Sequence, residues 1–437
     1  MYIKAVTAFH VVLYGMVAAP LSLEDAVKLA LSHNRQVLAA GLRAEESKTQ
    51  IGVTESRRYP AMRTQGQMGI SLTRADVTFP RGALGEYAGT GPIPGNDMKV
   101  GIPRQLTGFS YSQVGLPLTQ QLRTGAAITG ARLQFEEAGL GRRLTEAEIT
   151  RQVRQAYFSL LALDAGIAAA KANVAVAVEV ERLAGQGVEN GTALKVELRE
   201  ATARVERVRA ALENTQLERD NLRDAFQQLL GQPLDSPLEL AGLPVLESDV
   251  DAAAAQGQAR MNRAEVRTAQ VRIKQAEAAA KGKKYEFIPD ISLAVTHFGF
   301  LNTSNLAPAN FATAGLSFDW EPWDWGRKKN ELKGLRFQAQ RARLELEEQQ
   351  QSVAREAARA VREWRQSDSN LRAAESLVAA QTERVNVVKQ RYQEQSALLR
   401  QLLEAQADYE AAQEQRVRAL AGRGTAWANL QFALGAE

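Results

Sequence analysis

Two spacings of apolar and polar residues run along this chain, one of two residues and one of seven. Ile291, Leu293 and Val295 alternate with Ser292, Ala294 and Thr296, which predicts a strand over about 290–300 with a partner over about 311–321. Upstream, Met68, Ile70 and Leu72 alternate with Gln67, Gly69, Ser71 and Thr73, so strands are expected over about 61–73 and 107–118. The heptad series Leu332, Ala339, Leu346, Val353, Ala360 gives way four residues on to Trp364, Leu371, Val378, Val385, Tyr392. A heptad with a shifted seam predicts long helices packed on helices, the supercoil altered partway. The Ala-rich run 165–178 allows the same close packing in an earlier helix.

Proline sets the organisation, because it lacks the N–H a helix needs and clashes with the preceding turn. Residues 118–232 and 323–437 hold none, and shorter proline-free runs, 21–59 and 245–288, precede each strand pair. Each half therefore reads helix, strand, strand, long helix, turn, long helix. Pro60 and Pro289 mark the passage from helix to strand. Gly125 on one side, and Pro322 and Gly326 on the other, mark the return from strand to helix. The segment 188–201 aligns without gaps on 392–405, placing turns near 191 and 395 and pairing Gly191, Thr192, Ala193 and Leu194 with Gln395, Ser396, Ala397 and Leu398. This is an internal duplication: a first repeat over 20–230, a linker over 231–260 and a second repeat over 261–437. From Gly125 to the first turn is about 65 residues, or about 100 Å of helix, more than a soluble globular domain uses.

Composition narrows the chemistry. The 437 residues include no Cys, which excludes disulfides and thiolate metal sites. His10, His33 and His297 lie too far apart for a metal-ligand spacing, and no nucleophile–base pair or cofactor loop stands out, so neither cofactor nor catalysis is expected. The net charge of +4 is small, and acidic and basic residues interleave along the helices, which argues against nucleic acid as a partner. Residues 1–19 carry one Lys and an apolar run closing on Val17-Ala18-Ala19, as a signal peptide does; a buried first helix is the alternative. No other stretch is expected to form a transmembrane helix. The Gly/Pro-rich stretch 74–106 is expected to be an exposed loop.

Four strands alone would leave their outer edges unpaired in lipid, at several kcal/mol for each backbone group, so a membrane sheet must close. Three copies supply twelve strands, within the range of outer-membrane barrels. Trp320, Trp323 and Trp325, clustered where the last strand passes into helix, fit an aromatic girdle at the rim of such a barrel and would otherwise be core.

With the opening helix 21–37, the two helix-to-strand prolines, the segment GLSFDWEPWDWGRKKNELKGL (315–335) and the two matched turns in view, the chain resembles the TolC family of outer membrane efflux proteins along nearly its whole length after Pro20. That resemblance implies a mainly helical homotrimer: a twelve-stranded barrel in the outer membrane, continuous with a coiled-coil tunnel in the periplasm. It implies cargo passed from an inner-membrane pump through a periplasmic adaptor, in a tripartite efflux or type I secretion system, with 231–260 in a belt around the tunnel. It also implies a gate at the helical tip. Glu404 falls on one acidic gate position, and Gln401 falls on another and so lacks its carboxylate. Tyr392 matches a gating tyrosine, Glu197 an acidic partner in the first repeat, and Glu200 is the first-repeat counterpart of Glu404. Ala397 stands where some relatives carry an arginine tie. A coiled-coil scaffold is the competing reading, but it leaves the strand pairs and the leading apolar run unexplained.

Overall fold

A computed structural model of the chain describes residues 20–70, 72–73, 75–102, 105–191, 193–244, 246, 251–302, 308–394 and 396–435. The leading segment 1–19, Thr192 and Gln395 lie outside the described residues. The elements in order are α1 (Leu23–His33), α2 (Arg35–Ser56), β1 (Ala61–Ile70), β2 (Ala75–Phe79), β3 (Glu86–Tyr87), β4 (Gly91–Pro92), β5 (Met98–Ile102), β6 (Leu106–Pro117), α3 (Gln120–Glu189) and α4 (Lys195–Leu230). The second half follows with α5 (Ala252–Asn262), α6 (Ala264–Lys284), β7 (Asp290–Leu301), β8 (Asn310–Asp319), α7 (Arg327–Gln393) and α8 (Leu399–Leu434). The contacts divide the chain into two units, one built on the sheet and one on the long helices.

The sheet unit, 46–136 with 271–342, holds a four-stranded antiparallel sheet in the order β1-β6-β7-β8. The two strand pairs of the duplication join through β6 and β7. One cross-strand row runs Met62, Val114, Val295, Ala314, and another Leu116, Leu293, Leu316. These rows make one apolar face, and Val295 and Leu293 on it are exposed. The opposite face carries Arg63, Gln113, Thr296 and Thr313 in one row and Gln65, Tyr111, Phe298 and Phe311 in another. Along β7 this second face is the less exposed of the two. Its aromatic row is packed ring on ring: Phe298 stacks on Phe311 at 4.6 Å, and Tyr111 meets Phe298 edge-on at 5.2 Å. β1 and β8 are the sheet's edge strands and are exposed throughout.

The stretch expected as a bare loop holds two small hairpins, β2 with β5 and β3 with β4. Backbone bonds such as Gly82 N–H to Pro94 O at 2.9 Å and Leu84 N–H to Ile93 O at 2.8 Å hold them. Main-chain pairing, not a core, gives this segment its order. Gly125 also departs from expectation: it lies inside α3, which already begins at Gln120, directly after β6 and a two-residue bend. Gly326 does stand at the junction, with φ 84° just before α7. Pro60 and Pro289 each precede the first residue of a strand.

In the helical unit, two cores of buried side chains repeat one another position by position. Ala26, Ala30 and Val37 recur as Ala255, Ala259 and Val266. Ile149, Val153, Ala156, Tyr157 and Leu160 recur as Val353, Ala357, Ala360, Val361 and Trp364, and Phe226 and Leu230 as Leu430 and Leu434. The shift between repeats is 229 positions before the strands and 204 after them, the first repeat carrying the longer strand-to-strand connection. α5 is thus the counterpart of α1, and the second repeat begins at 252, inside the stretch expected as linker.

Polar ties repeat as well. Arg219 Nε donates to Asp164 at 3.0 Å and Arg423 Nε to Asp368 at 3.1 Å, each pair 55 residues apart. At the corner between α1 and α2, Asn34 is buried and donates to Leu229 O at 2.9 Å, satisfying a carbonyl at the end of α4. At the matching corner between α5 and α6, Arg263 donates to Phe432 O at 3.3 Å near the end of α8. α4 and α8 each end on a left-handed glycine, Gly231 and Gly435. The Tyr157 hydroxyl adds a tie to the linker, donating to Ala241 O at 2.7 Å and reaching Leu21 O at 3.1 Å. α3 contains an 18-residue window of mean hydropathy 1.5, long and apolar enough by composition to cross a membrane, where none was expected. Only 11% of that window is buried.

Candidate functional site

The helical turns, α3 to α4 and α7 to α8, carry most of the residues singled out as a gate. Each second helix of a hairpin starts on an exposed leucine that cannot cap it. Leu194 precedes α4 and Leu398 precedes α8, and neither side chain accepts a hydrogen bond. A side chain three residues on compensates. The Glu197 carboxylate accepts the Leu194 N–H at 3.0 Å, and the Gln401 carboxamide oxygen accepts the Leu398 N–H at 3.1 Å. This is the returning half of a capping box, present in both repeats. Gln401 therefore does not lack a function for want of charge, since the oxygen is the part the turn uses.

Glu197 has a second neighbour. The Tyr392 phenol, half-buried in the last turns of α7, is pushed up from its ordinary pKa by burial and by the negative charge of Glu197. The structure thus brings together two expected gate residues from different repeats. Tyr392 packs against a small core formed by Val180, Ala184, Ala201, Leu399 and Leu402. Gly191 takes φ 69° and closes the first turn. Ala193 N–H donates to Gly187 O at 3.0 Å and Ser396 N–H to Arg391 O at 2.8 Å, so the two turns are tied differently in detail. Ala397 is half-buried beside Leu398.

Glu200 and Glu404 stand apart from this cluster. Both are exposed, and Arg400 Nε lies 3.6 Å from the Glu404 carboxylate, one turn back on α8. Farther from the turn, Arg204 on α4 is 5% exposed and pairs with Glu410 on α8. Burial pushes the Glu410 carboxyl above its ordinary range against the pull of that guanidinium. Sequence reasoning missed this pair, because its two members lie on different helices and belong to no motif. In the sheet unit the three tryptophans are on the surface, Trp325 most of all at 89% exposed, and Trp323 meets Trp325 edge-on at 5.7 Å. Among the described residues no group of three His, Asp or Glu is placed to hold a metal.

The sheet of four strands leaves β1 and β8 as open edges, and the strand pair and long hairpin occur twice. The family model described as outer membrane efflux protein matches residues 26–232 and 255–436. The chain belongs to that family. The two matched stretches are the two repeats, and they leave out the linker around residues 233–254. Membership makes the chain an outer-membrane transport protein of efflux systems, in a family of channels and not of enzymes.

Solved structures share its fold. VceC, an outer membrane protein of Vibrio cholerae, has a TM-score of 0.74 at 16% identity, over 94% of this chain and 96% of its own. The Campylobacter jejuni CmeC outer membrane channel has a TM-score of 0.77 at 14% identity, over 94% and 85%. The open state of the Neisseria gonorrhoeae MtrE outer membrane channel has a TM-score of 0.74 at 20% identity, over 94% and 88%. Comparison with curated protein sequences gives no match.

Proposed function

We propose that three copies of this outer membrane efflux protein close a single twelve-stranded barrel in the outer membrane and continue into a helical tunnel that opens and closes at the α3–α4 and α7–α8 turns. The observation that carries this reading is the sheet of four antiparallel strands with free edges at β1 and β8 and apolar rows on one exposed face. In lipid those edges need partners, and β8 of one copy beside β1 of the next supplies them without a new fold. Trp320, Trp323 and Trp325 then sit at the rim as anchors in the membrane–water interface.

Cargo is handed over by an inner-membrane pump through a periplasmic adaptor that docks on the turns, Gly191–Leu194 and Ser396–Leu398. Leu194 and Leu398, 67% and 61% exposed at equivalent positions, are the apolar contacts offered there. The gate rests on Glu197 and Gln401, whose caps hold the hairpin ends closed, and on Tyr392 beside Glu197. Three copies of Glu404, with Glu200 beside them, give the entrance a preference for cations. That MtrE has an open state supports a tunnel that moves between states. Conduction is passive, and no cofactor takes part.

The test is purification from outer membranes, mass by light scattering, and single-channel recording in a planar bilayer. A trimer with cation-preferring conductance is expected. A monomer without conductance would overturn the reading.

A further inference from the structure

Four arginines line one small pocket of the helical unit, of about 50 Å³, and only one carboxylate lines it with them. Arg143 and Arg154 come from α3 in the first repeat, and Arg263 and Arg267 from the α5–α6 corner in the second. The carboxylate is Glu265, and Phe432 in the last turn of α8 forms another part of the wall. The fold itself accounts for Arg263. That side chain is buried, pairs with Glu265 at 2.5 Å and Glu356 at 3.1 Å, and donates to Phe432 O at 3.3 Å.

The other three guanidiniums have no such task. Arg154 is half-buried, 5.2 Å from the centre of the Trp427 ring, and burial pulls its pKa below the ordinary arginine value. Among the described residues, Arg143, Arg154 and Arg267 have no ion pair and no side-chain hydrogen bond. The end of α8 attracts cations, but a helix C-terminus carries only about half a negative charge. Set against Glu265, Glu356 and that half charge, the four guanidiniums leave a surplus of more than one positive charge. Nor does the repeated fold require the three. Their positions in the other repeat hold Glu347, Ala358 and Leu38, whereas Arg263 falls on Asn34, which likewise satisfies a carbonyl at a helix end. The repeat keeps the capping task and drops the charge.

We propose that this pocket binds a phosphate group, as the free dianion or at the end of a phosphomonoester, and that the bound group ties α3 of the first repeat to the α5–α6 corner of the second. Each guanidinium presents a planar fork of N–H donors that matches phosphate oxygens. Three forks without an acidic partner, and a surplus above one charge, suit a dianion better than a single carboxylate. The pocket has room for the phosphate alone. Arg143 and Arg267 are exposed, so whatever is esterified to it would extend into solvent. The site lies wholly within the helical unit and does not depend on how many copies close the barrel.

Isothermal titration calorimetry of sodium phosphate into the full-length protein in detergent tests this, with ionic strength held constant by sodium chloride. The native chain should bind phosphate, and should bind acetate more weakly by about tenfold. The double variant R143Q and R267Q removes two exposed cations, and R154K keeps the charge of Arg154 without its fork. Each should weaken phosphate binding by about tenfold while circular dichroism at 222 nm stays unchanged. Binding also raises the melting temperature, but phosphate stabilises folded proteins by exclusion from their surface as well. The rise in phosphate over chloride should therefore be larger in the native chain than in the double variant. Glycerol 3-phosphate binding as tightly as inorganic phosphate would identify a phosphomonoester as the ligand, and binding of inorganic phosphate alone the free ion. No heat with either, or equal affinity in native chain and double variant, overturns the proposal. Acetate binding as tightly as phosphate overturns the choice of a dianion.

Discussion

Glu197 accepts the backbone N–H of Leu194 at 3.0 Å, and with that bond an acidic residue expected to act through its charge is also a helix cap. The two roles separate by substitution. E197Q keeps an oxygen where the cap needs it, as Gln401 does natively in the second repeat. E197A removes it, at a cost of about 0.5–1 kcal/mol to the first turn of α4. Closed-state conductance in single-channel recordings should rise in E197A and stay near the native level in E197Q. Equal increases in both would mean that charge, and not the cap, holds the turn.

Tyr157 gives a second prediction. Its ring is fully buried, and its hydroxyl reaches both the chain before α1, at Leu21 O, and the linker after α4, at Ala241 O. The counterpart in the second core is Val361, which makes no such tie. Y157F should therefore lower stability by about 1–2 kcal/mol, one hydroxyl lost and the Ala241 carbonyl left without its donor, while Leu21 O keeps the Ala241 N–H at 2.9 Å. V361 truncated to Ala should cost about as much through the cavity alone. Thermal unfolding followed by circular dichroism at 222 nm measures both, and limited proteolysis around residue 241 should quicken only in Y157F.

The elements that sequence reasoning found are those whose signal is local. β7 announces itself because Ile291, Leu293 and Val295 point one way and their neighbours the other. The turns were legible because 188–201 and 392–405 align without gaps. What stayed hidden depends on distance. Asn34 reaches a carbonyl 195 residues away, and nothing around it in the sequence says so. Arg263 plays the corresponding part with a different side chain, so comparing residue types between repeats misses the match. By charge alone Gln401 is a missing carboxylate, yet its carboxamide oxygen makes the one bond the turn requires of that position. Gly125 matches Gly326 in the repeat but stands inside α3, because a strand that ends on Pro117 lets that helix begin at Gln120.

Two half-buried glutamates should titrate in opposite senses. Glu265, although burial pushes its carboxyl up, is held below the ordinary range by the hydrogen bond and charge of Arg263. Its contribution to stability is present above the unfolded value and is lost as pH falls through the lower folded one. Glu410 is raised, by burial first, so the fold favours its protonated form. That contribution is complete below the unfolded value and fades as pH rises through the folded one. The difference in melting temperature between the native chain and E410Q, followed between about pH 4 and 8, should therefore shift against the native chain as pH rises. A constant difference would refute the raised carboxyl at Glu410.

Val295 and Thr296 are adjacent and face opposite sides of the sheet, which makes them a test of where lipid lies. Val295 belongs to the apolar row Met62, Val114, Ala314, and Thr296 to the polar row Arg63, Gln113, Thr313. The Thr296 side of β7 is the less exposed one, as the inner surface of a curled sheet is. A lysine on the lipid face near mid-strand costs about 2–4 kcal/mol, and one facing a watery interior costs little. V295K should assemble poorly in the outer membrane, with less heat-stable trimer recovered per cell. T296K should assemble as the native chain does and change conductance instead, because three added ammonium groups would line the pore beside the stacked Phe298 and Phe311. The reverse outcome, with T296K failing to insert and V295K unaffected, would turn the barrel inside out and put the aromatic row in the bilayer.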